Sequence, residues 1–341
     1  LRHLEAPMLR DRLPGIFLAI FLVCLTSFAV ALTMGGGPRA TTLELAIYQA
    51  ITFEFDLARA AQLALMQFAL AGLAGVIAWR VARPAAFGAG QDRAPVPPGP
   101  EGRLADAALI ALAALFLVLP LAMVAGAGLA GLAQLPAGTL GALGRSLGVA
   151  LASVGIMLAL ALPVALTAAT RERAALPEVL GLALIAASSL VMGTGLFLIA
   201  FRLTDPGAVA LPVTALVNAA AALPFCLRIL APAARGVERD FGRLARALGM
   251  SPAARLRLVT WPRIRPAIGF SAGLTAALSI GDLGVIAIFA GHDAPTLPLL
   301  MYRLMGAYQL EAAAGAALLL LALTLGVFWL FDRGGRLGSA A

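Results

Sequence analysis

Lysine is absent from this 341-residue chain, and all 25 of its basic residues are arginine. That excludes the phosphate-binding loop G-x-x-x-x-G-K-[ST], Schiff-base chemistry and cofactor attachment through an amine. ATP hydrolysis is therefore not carried out by this chain. Charge is also scarce: 12% of residues are charged and 61% are apolar, with a mean hydropathy of +0.96. A soluble domain carries about 25% charged residues. Half that charge cannot cover a globular surface of this size, so a soluble enzyme is excluded. Cysteine is limited to Cys24 and Cys226, both inside apolar stretches where a thiol serves as a small hydrophobe. They offer neither a disulfide framework nor metal-ligand spacing. His3 and His292 stand far apart in the sequence, so no metal site or other cofactor is implied.

Apolar residues are present in long runs. Eight are long enough to cross a bilayer at about 1.5 Å per helical residue, near 13–34, 57–79, 104–133, 140–169, 176–201, 207–234, 266–290 and 309–331. The expected fold class is all-α, a polytopic transmembrane helical bundle. Pro120 and Pro163 are positions where the two longest runs could tilt or break. With the N-terminus in the cytoplasm and one crossing per run, twenty arginines fall on the cytoplasmic side and five on the other. This positive-inside bias puts both termini in the cytoplasm. It accounts for most of the net charge of +8 without nucleic acid. Residues 81–103, rich in proline, glycine and arginine, read as a cytoplasmic linker between two helices in 1–80 and six in 104–334.

An internal repeat explains that unequal division. At an offset of 254, Thr42, Leu43, Leu45 and Tyr48 match Thr296, Leu297, Leu299 and Tyr302; at 255, Pro7 and Arg10 match Pro262 and Arg265. Two homologous helical halves are expected. The second is complete from about residue 104, and residue 1 corresponds to a point near 256 of it. On this reading 1–80 is the C-terminal part of the first half, and a beginning at Leu1 fits a fragment or an unusual start codon.

The one long polar excursion, 235–265, carries eight arginines with Glu238 and Asp240. A short surface helix ending at Gly249 is expected there, followed by a new helix capped by Ser251 with Pro252 in its first turn. On composition alone this is a basic loop touching lipid phosphates. The spacing adds more. Gly249 is followed ten residues later by Val259-Thr260-Trp261-Pro262, and Arg243-Leu244-Ala245 precedes it. This resembles the E-A-A-x3-G-x9-I-x-L-P signature of ABC importer permeases, with Arg243 where the family has glutamate. Leu4-Glu5-Ala6-Pro7 is similar to the end of the same signature. The resemblance implies a coupling segment that docks on a cytoplasmic ATP-binding subunit, of which two copies are expected. Arg243, Leu244, Ala245, Leu248, Gly249, Val259 and Pro262 would be its residues, with Leu244, Leu248 and Met250 as apolar knobs.

Two further stretches sharpen the likeness. Gly35-Gly36-Gly37-Pro38 leads into Glu44-Leu45-Ala46-Ile47-Tyr48-Gln49, and Gly281-Asp282-Leu283-Gly284 is followed by Thr296-Leu297-Pro298. Together they resemble the fused, twelve-helix permeases of bacterial thiamine and thiamine pyrophosphate ABC importers, which share a type I permease fold. Related permeases carry ferric iron, which is the alternative cargo. The resemblance implies an inner-membrane location, a periplasmic thiamine-binding protein as partner, and no catalysis in this chain.

Residue-level candidates for a substrate pathway are few. Asp282 is an acid inside an apolar run, where an unpaired charge costs several kcal/mol. It is either a structural hydrogen-bonding group or an attractor for the thiazolium cation. Thr194, Asn218 and Phe225 also lie on mid-bundle segments, where polar groups often satisfy one another. Glu44, Glu54, Asp56 and Asp293 are expected on outer loops, as solvated acids or as a landing surface for the binding protein. A secondary transporter is the rival class. Against it, the repeat keeps one orientation, and the strongest motif is cytoplasmic and arginine-rich rather than at mid-membrane.

Overall fold

Inside a bilayer the backbone must satisfy its own hydrogen bonds, and leucine- and alanine-rich runs do so as helices. The computed structural model describes residues 24–35, 41–81, 100–170, 187–289 and 295–337, together with Leu13, Phe17, Ile20 and Phe21. Among these residues every regular element is helical. In chain order they are α1 (Phe28–Met34), α2 (Leu43–Thr52), α3 (Leu57–Val81), α4 (Pro100–Gly131), α5 (Thr139–Thr170), α6 (Ser189–Leu203) and α7 (Ala210–Ala247). There follow α8 (Pro252–Arg255), a π-helical turn over Leu256–Thr260, α9 (Trp261–Ile280), α10 (Gly284–Phe289), α11 (Leu297–Gly306) and α12 (Leu310–Arg336).

Six stretches are long and apolar enough to cross a membrane: Leu57–Ile77, Asp106–Gln134, Thr139–Thr170, Ala210–Ala247, Pro252–Phe289 and Leu310–Arg336. They correspond to six of the eight expected runs. The expected run 176–201 is described only from residue 187, as the 15-residue α6, and 14–16, 18–19 and 22–23 of the run 13–34 lie outside the described residues, as do 82–99 of the linker. The chain is a multi-pass helical membrane protein. Neither Pro120 nor Pro163 interrupts its helix: α4 and α5 each run for 32 residues straight through them.

The repeat is visible in the element lengths. Both α2 and α11 have ten residues, and Leu43 to Leu297 and Thr52 to Gly306 are the same offset of 254. Each is preceded by a short helix and followed by a long one. The start of α11 is pinned from α5, where Ser146 Oγ accepts the Leu297 N–H at 2.8 Å and Arg145 Nε donates to the Pro295 carbonyl at 2.9 Å.

Packing relies on small residues, as helices in lipid require. Ala219, Ala222, Cys226 and Leu230 of α7 meet Met157, Ala161 and Ala165 of α5 in one core. A second core joins α1, α2 and α10 to α6 through Phe28, Tyr48, Leu190, Phe197, Val285 and Phe289. Two crossings are closer still. Gly131 of α4 lies against Gly315 of α12, where a Cβ on Gly315 would come within 2.6 Å of the Gly131 carbonyl group. Gly269 of α9 lies equally close to Gly335 of α12. The 18-residue core of the Asp106–Gln134 span has no buried residue, although it is the most apolar of the six. Its outer face is suited to lipid or to another transmembrane helix.

Candidate functional sites: an arginine-rich turn and a buried polar seam

The turn at 244–252 follows from its sequence. Gly249 adopts φ +63, a conformation that costs residues with a Cβ but not glycine. Its N–H donates to the Arg246 carbonyl at 3.0 Å, and the Met250 N–H donates to the Ala245 carbonyl at 3.0 Å. These are the two hydrogen bonds of a Schellman motif. Ser251 then caps α8, its Oγ accepting the Ala254 N–H at 3.3 Å, with Pro252 in the first turn. The stop and restart match the sequence reading. The segment before them is not the separate short helix expected there: it is the last part of α7, which runs unbroken for 38 residues. At about 1.5 Å per residue α7 is about 57 Å long, nearly twice a bilayer's hydrocarbon core of about 30 Å. The arginine-bearing end therefore projects beyond the membrane as a rigid extension.

Glu238 ties the two arms of this hairpin together. Its Oε1 accepts from Arg246 at 3.0 Å, and its Oε2 pairs with Arg255 on α8. Beneath the turn lies a cavity of about 330 Å³, lined among others by Leu166, Ala234, Ala245, Met250 and Leu256. Of the residues singled out by the motif, Ala245 is buried against this cavity and Val259 is half-buried. Arg243, Leu244, Leu248, Gly249 and Pro262 are exposed. Leu244 and Leu248, one turn apart, are 56% and 68% exposed, an apolar strip on an otherwise arginine-rich end; Leu258 and Trp261 are also exposed, at 64% and 46%. Met250 is only half-buried. The π-helical turn over Leu256–Thr260 brings the chain into Pro262 at the start of α9, and turns of this kind often mark functional segments.

The second site is a seam of polar side chains among apolar helices. Asn218 of α7 donates to Ser279 Oγ of α9 at 3.1 Å, and Ser279 Oγ lies 3.0 Å from Ser153 Oγ of α5. Asp282 sits in the break between α9 and α10, where its Oδ1 accepts the Gly284 N–H at 3.3 Å. The Asn218 side chain also faces its carboxylate. Of the four pathway candidates, Asp282 and Asn218 thus meet. Thr194 is buried, but its hydroxyl is spent on the Leu190 carbonyl of its own helix at 2.9 Å. Phe225 is 41% exposed, about two turns beyond Asn218 along α7. An apolar groove of about 380 Å³ runs between α6 and α7, lined by Val191, Met192, Gly195, Leu196, Leu216 and Val217 among others.

One sequence expectation is overturned here. Glu44 is not a solvated loop acid: it is 1% exposed, because the first turn of α2 folds inward onto α3. Its Oε1 accepts from Gln67 Nε2 at 2.7 Å, and the same amide reaches Ser188 Oγ at 3.4 Å. Burial pushes the Glu44 carboxyl above the usual carboxylate range. Hydrogen bonds from Ser188 and Gln67 oppose this, and the like charge of Asp282 adds to it. Glu54, by contrast, is on the surface, paired with Arg59, and Asp56 accepts the Arg59 N–H at 2.9 Å. Asp293 lies outside the described residues. Gln67, Ser188 and the clamping role of Glu238 were not read from the sequence. A glutamine amid the apolar residues of α3, one of two with Gln62, was the signal available for Gln67.

No family model matches the chain. Curated relatives do. The chain is 39% identical over 341 residues to the "Thiamine transport system permease protein ThiP" of Brucella abortus (strain 2308), covering 97% of this chain and 63% of the relative. Proteins of the same name from Escherichia coli (strain K12) and Salmonella typhimurium are 33% and 32% identical, again over 97% of this chain and 64% of each relative. The chain spans less than two thirds of the length of these relatives. Identity at this level is carried along nearly all of the chain, which is thus a homologue of these transport-system permease proteins.

Proposed function

We propose that this chain is the membrane-spanning permease part of an ABC importer that moves thiamine and phosphorylated thiamine across a bacterial inner membrane, driven by ATP hydrolysis in a partner subunit. The observation that carries the reading is identity of 31–39% over 96–97% of the chain to proteins named for thiamine transport. These relatives do not support ferric iron as cargo. On this reading both termini are cytoplasmic, 104–334 is a complete permease half, and 1–80 ends the other half.

The cytoplasmic turn is suited to coupling. Leu244 and Leu248 offer an apolar strip to a groove on the ATP-binding subunit, two copies of which would serve the two halves. Arg243 and its neighbours meet acidic groups there, and the Schellman turn with its Glu238 clamp holds the strip at a fixed angle. ATP-driven closure of the subunits moves this end of α7. The polar seam changes its packing in response, and the bundle alternates between inward- and outward-open states. A periplasmic thiamine-binding protein delivers cargo to the outer face. Nothing in the cycle requires bond-making by this chain.

The test is ATPase stimulation in lipid nanodiscs, with the complete permease, its ATP-binding subunit and its binding protein. Thiamine and thiamine pyrophosphate are expected to stimulate and ferric iron is not; stimulation by iron alone overturns the substrate. In the same assay Asp282→Asn keeps the acceptor for the Gly284 N–H and removes only the charge. It is expected to lower thiamine-stimulated turnover about tenfold, the scale of one hydrogen bond to a charged group, with assembly unchanged by gel filtration. Loss of assembly with normal turnover per assembled complex assigns Asp282 a structural role instead.

A further inference from the structure

Three buried acceptor oxygens meet no hydrogen-bond donor among the described residues: Glu44 Oε2, Gln67 Oε1 and Asp282 Oδ2. They come from separate elements, α2, α3 and the α9–α10 break. Glu44 and Gln67 are 1% and 0% exposed, and Gln67 is committed to Glu44 through its amide at 2.7 Å. A buried acceptor left bare costs roughly 1–3 kcal/mol, and more when charged. Three on adjoining elements, two of them in direct hydrogen-bond contact through Glu44 and Gln67, therefore suit an occupant that is a donor or a cation.

Among the described residues, the groups that act on Glu44 carry no positive charge. Toward Glu44, α3 presents the neutral Gln67, α6 its capping Ser188, and the α9–α10 break Asp282, the charged group that acts on it. Phe28 of α1 and Leu190 of α6 close the space over Gly284. Tyr302 and Arg303 of α11 act on Tyr48, one turn further along α2. Two neighbouring carboxylates in an apolar interior without a counter-ion do not both stay ionised.

We propose that Glu44, Gln67 and Asp282 form a monocation site in the seam, filled by a proton when the cargo is absent and by the positively charged ring of a cationic cargo when it is bound. The two occupants compete: the proton on the Glu44–Asp282 pair leaves to solvent as the ring's charge replaces it. The apolar groove on α6 and α7, the helices that begin beside Ser188 and carry Asn218, suits the rest of an aromatic cation. The site itself does not depend on which cargo is carried. Its cargo half rests on the thiamine reading above.

Two readouts on the complete transporter in nanodiscs test it. The first is infrared detection of the carbonyl stretch of an un-ionised carboxylic acid, at neutral pH without cargo. Wild type is expected to show a band that shifts or disappears in Glu44→Gln and in Asp282→Asn and is bleached by thiamine. No such band, or one indifferent to both substitutions, overturns the proposal. The second is the thiamine concentration for half-maximal ATPase stimulation, measured across pH. Protons compete for the pair, so in wild type this concentration rises as pH falls, by about tenfold per unit once the proton is mostly bound. In Glu44→Gln it is expected to be about tenfold higher at neutral pH and flat with pH, with Glu44→Asp restoring the slope. An unchanged slope in Glu44→Gln overturns the shared site. If wild type does not respond to thiamine at all, the substrate reading fails, while the infrared band still decides the site.

Discussion

Replacing Gly269 by valine is expected to abolish recovery of folded protein. A Cβ at Gly269 would stand 2.6 Å from the Phe331 carbonyl oxygen and 2.7 Å from the Gly335 Cα, and one at Gly273 would stand 3.0 Å from the Phe328 carbonyl oxygen. All three are backbone atoms of α12, so no rotamer change relieves the clash and the helices must separate. Overpacking commonly costs 1–3 kcal/mol and occasionally more. Here the cost falls at the upper end, because the α9–α12 contact is lost along its length. The monodisperse gel-filtration peak in detergent should vanish for Gly269→Val and shrink for Gly269→Ala. Gly326→Val is the control, since a Cβ there meets nothing within 4 Å. A normal peak for Gly269→Val would show that the helices do not cross this closely.

A second large effect is expected at Gly249, of a different kind. Space is not the constraint, because a Cβ there also meets nothing within 4 Å. The constraint is φ +63. A β-branched residue pays about 1–3 kcal/mol for that conformation, enough to open the turn. Gly249→Val should therefore assemble normally yet lose about tenfold in thiamine-stimulated ATPase activity, because α8 and Arg255 no longer hold their angle to Glu238. Gly249→Asn, which tolerates the left-handed region, should keep most of that activity. Equal loss in both variants would mean that the glycine matters by contact with the partner, not by its backbone.

Much of the fold was legible because lipid imposes simple rules. An apolar run of sufficient length has few alternatives to a helix, so six runs became six spans. The stop at Gly249 and the restart at Ser251-Pro252 were equally readable, because both are local backbone chemistry. What the sequence concealed depends on long-range packing. The end of α7 looked like a separate surface helix because its composition turns from apolar to arginine-rich. Backbone hydrogen bonding takes no notice of that change and continues. Glu44 looked like a loop acid because it follows closely on Gly35-Gly36-Gly37-Pro38-Arg39 and Thr41-Thr42, between two apolar runs. Only the inward fold of α2 onto α3 brings it to Gln67, 23 residues away, and near Asp282. The repeat held a hint: the position 254 residues beyond Glu44 is Pro298, so the acid belongs to one copy alone. Asp282 and Asn218 were chosen separately as polar groups in apolar runs, and the bundle brings them together.

The unbroken length of α7 also sets which motions can be transmitted. About 29 residues, some 44 Å at 1.5 Å per residue, separate Asn218 from the end of the helix at Ala247. Between them stand Pro224 and Pro232, each of which removes one backbone hydrogen bond and so softens the helix against bending but not against compression. A push along the axis therefore arrives at Asn218 undiminished, whereas a sideways push is taken up at the two prolines. The helix behaves as a strut rather than a crank, and sorts incoming motion by direction before any of it reaches the seam.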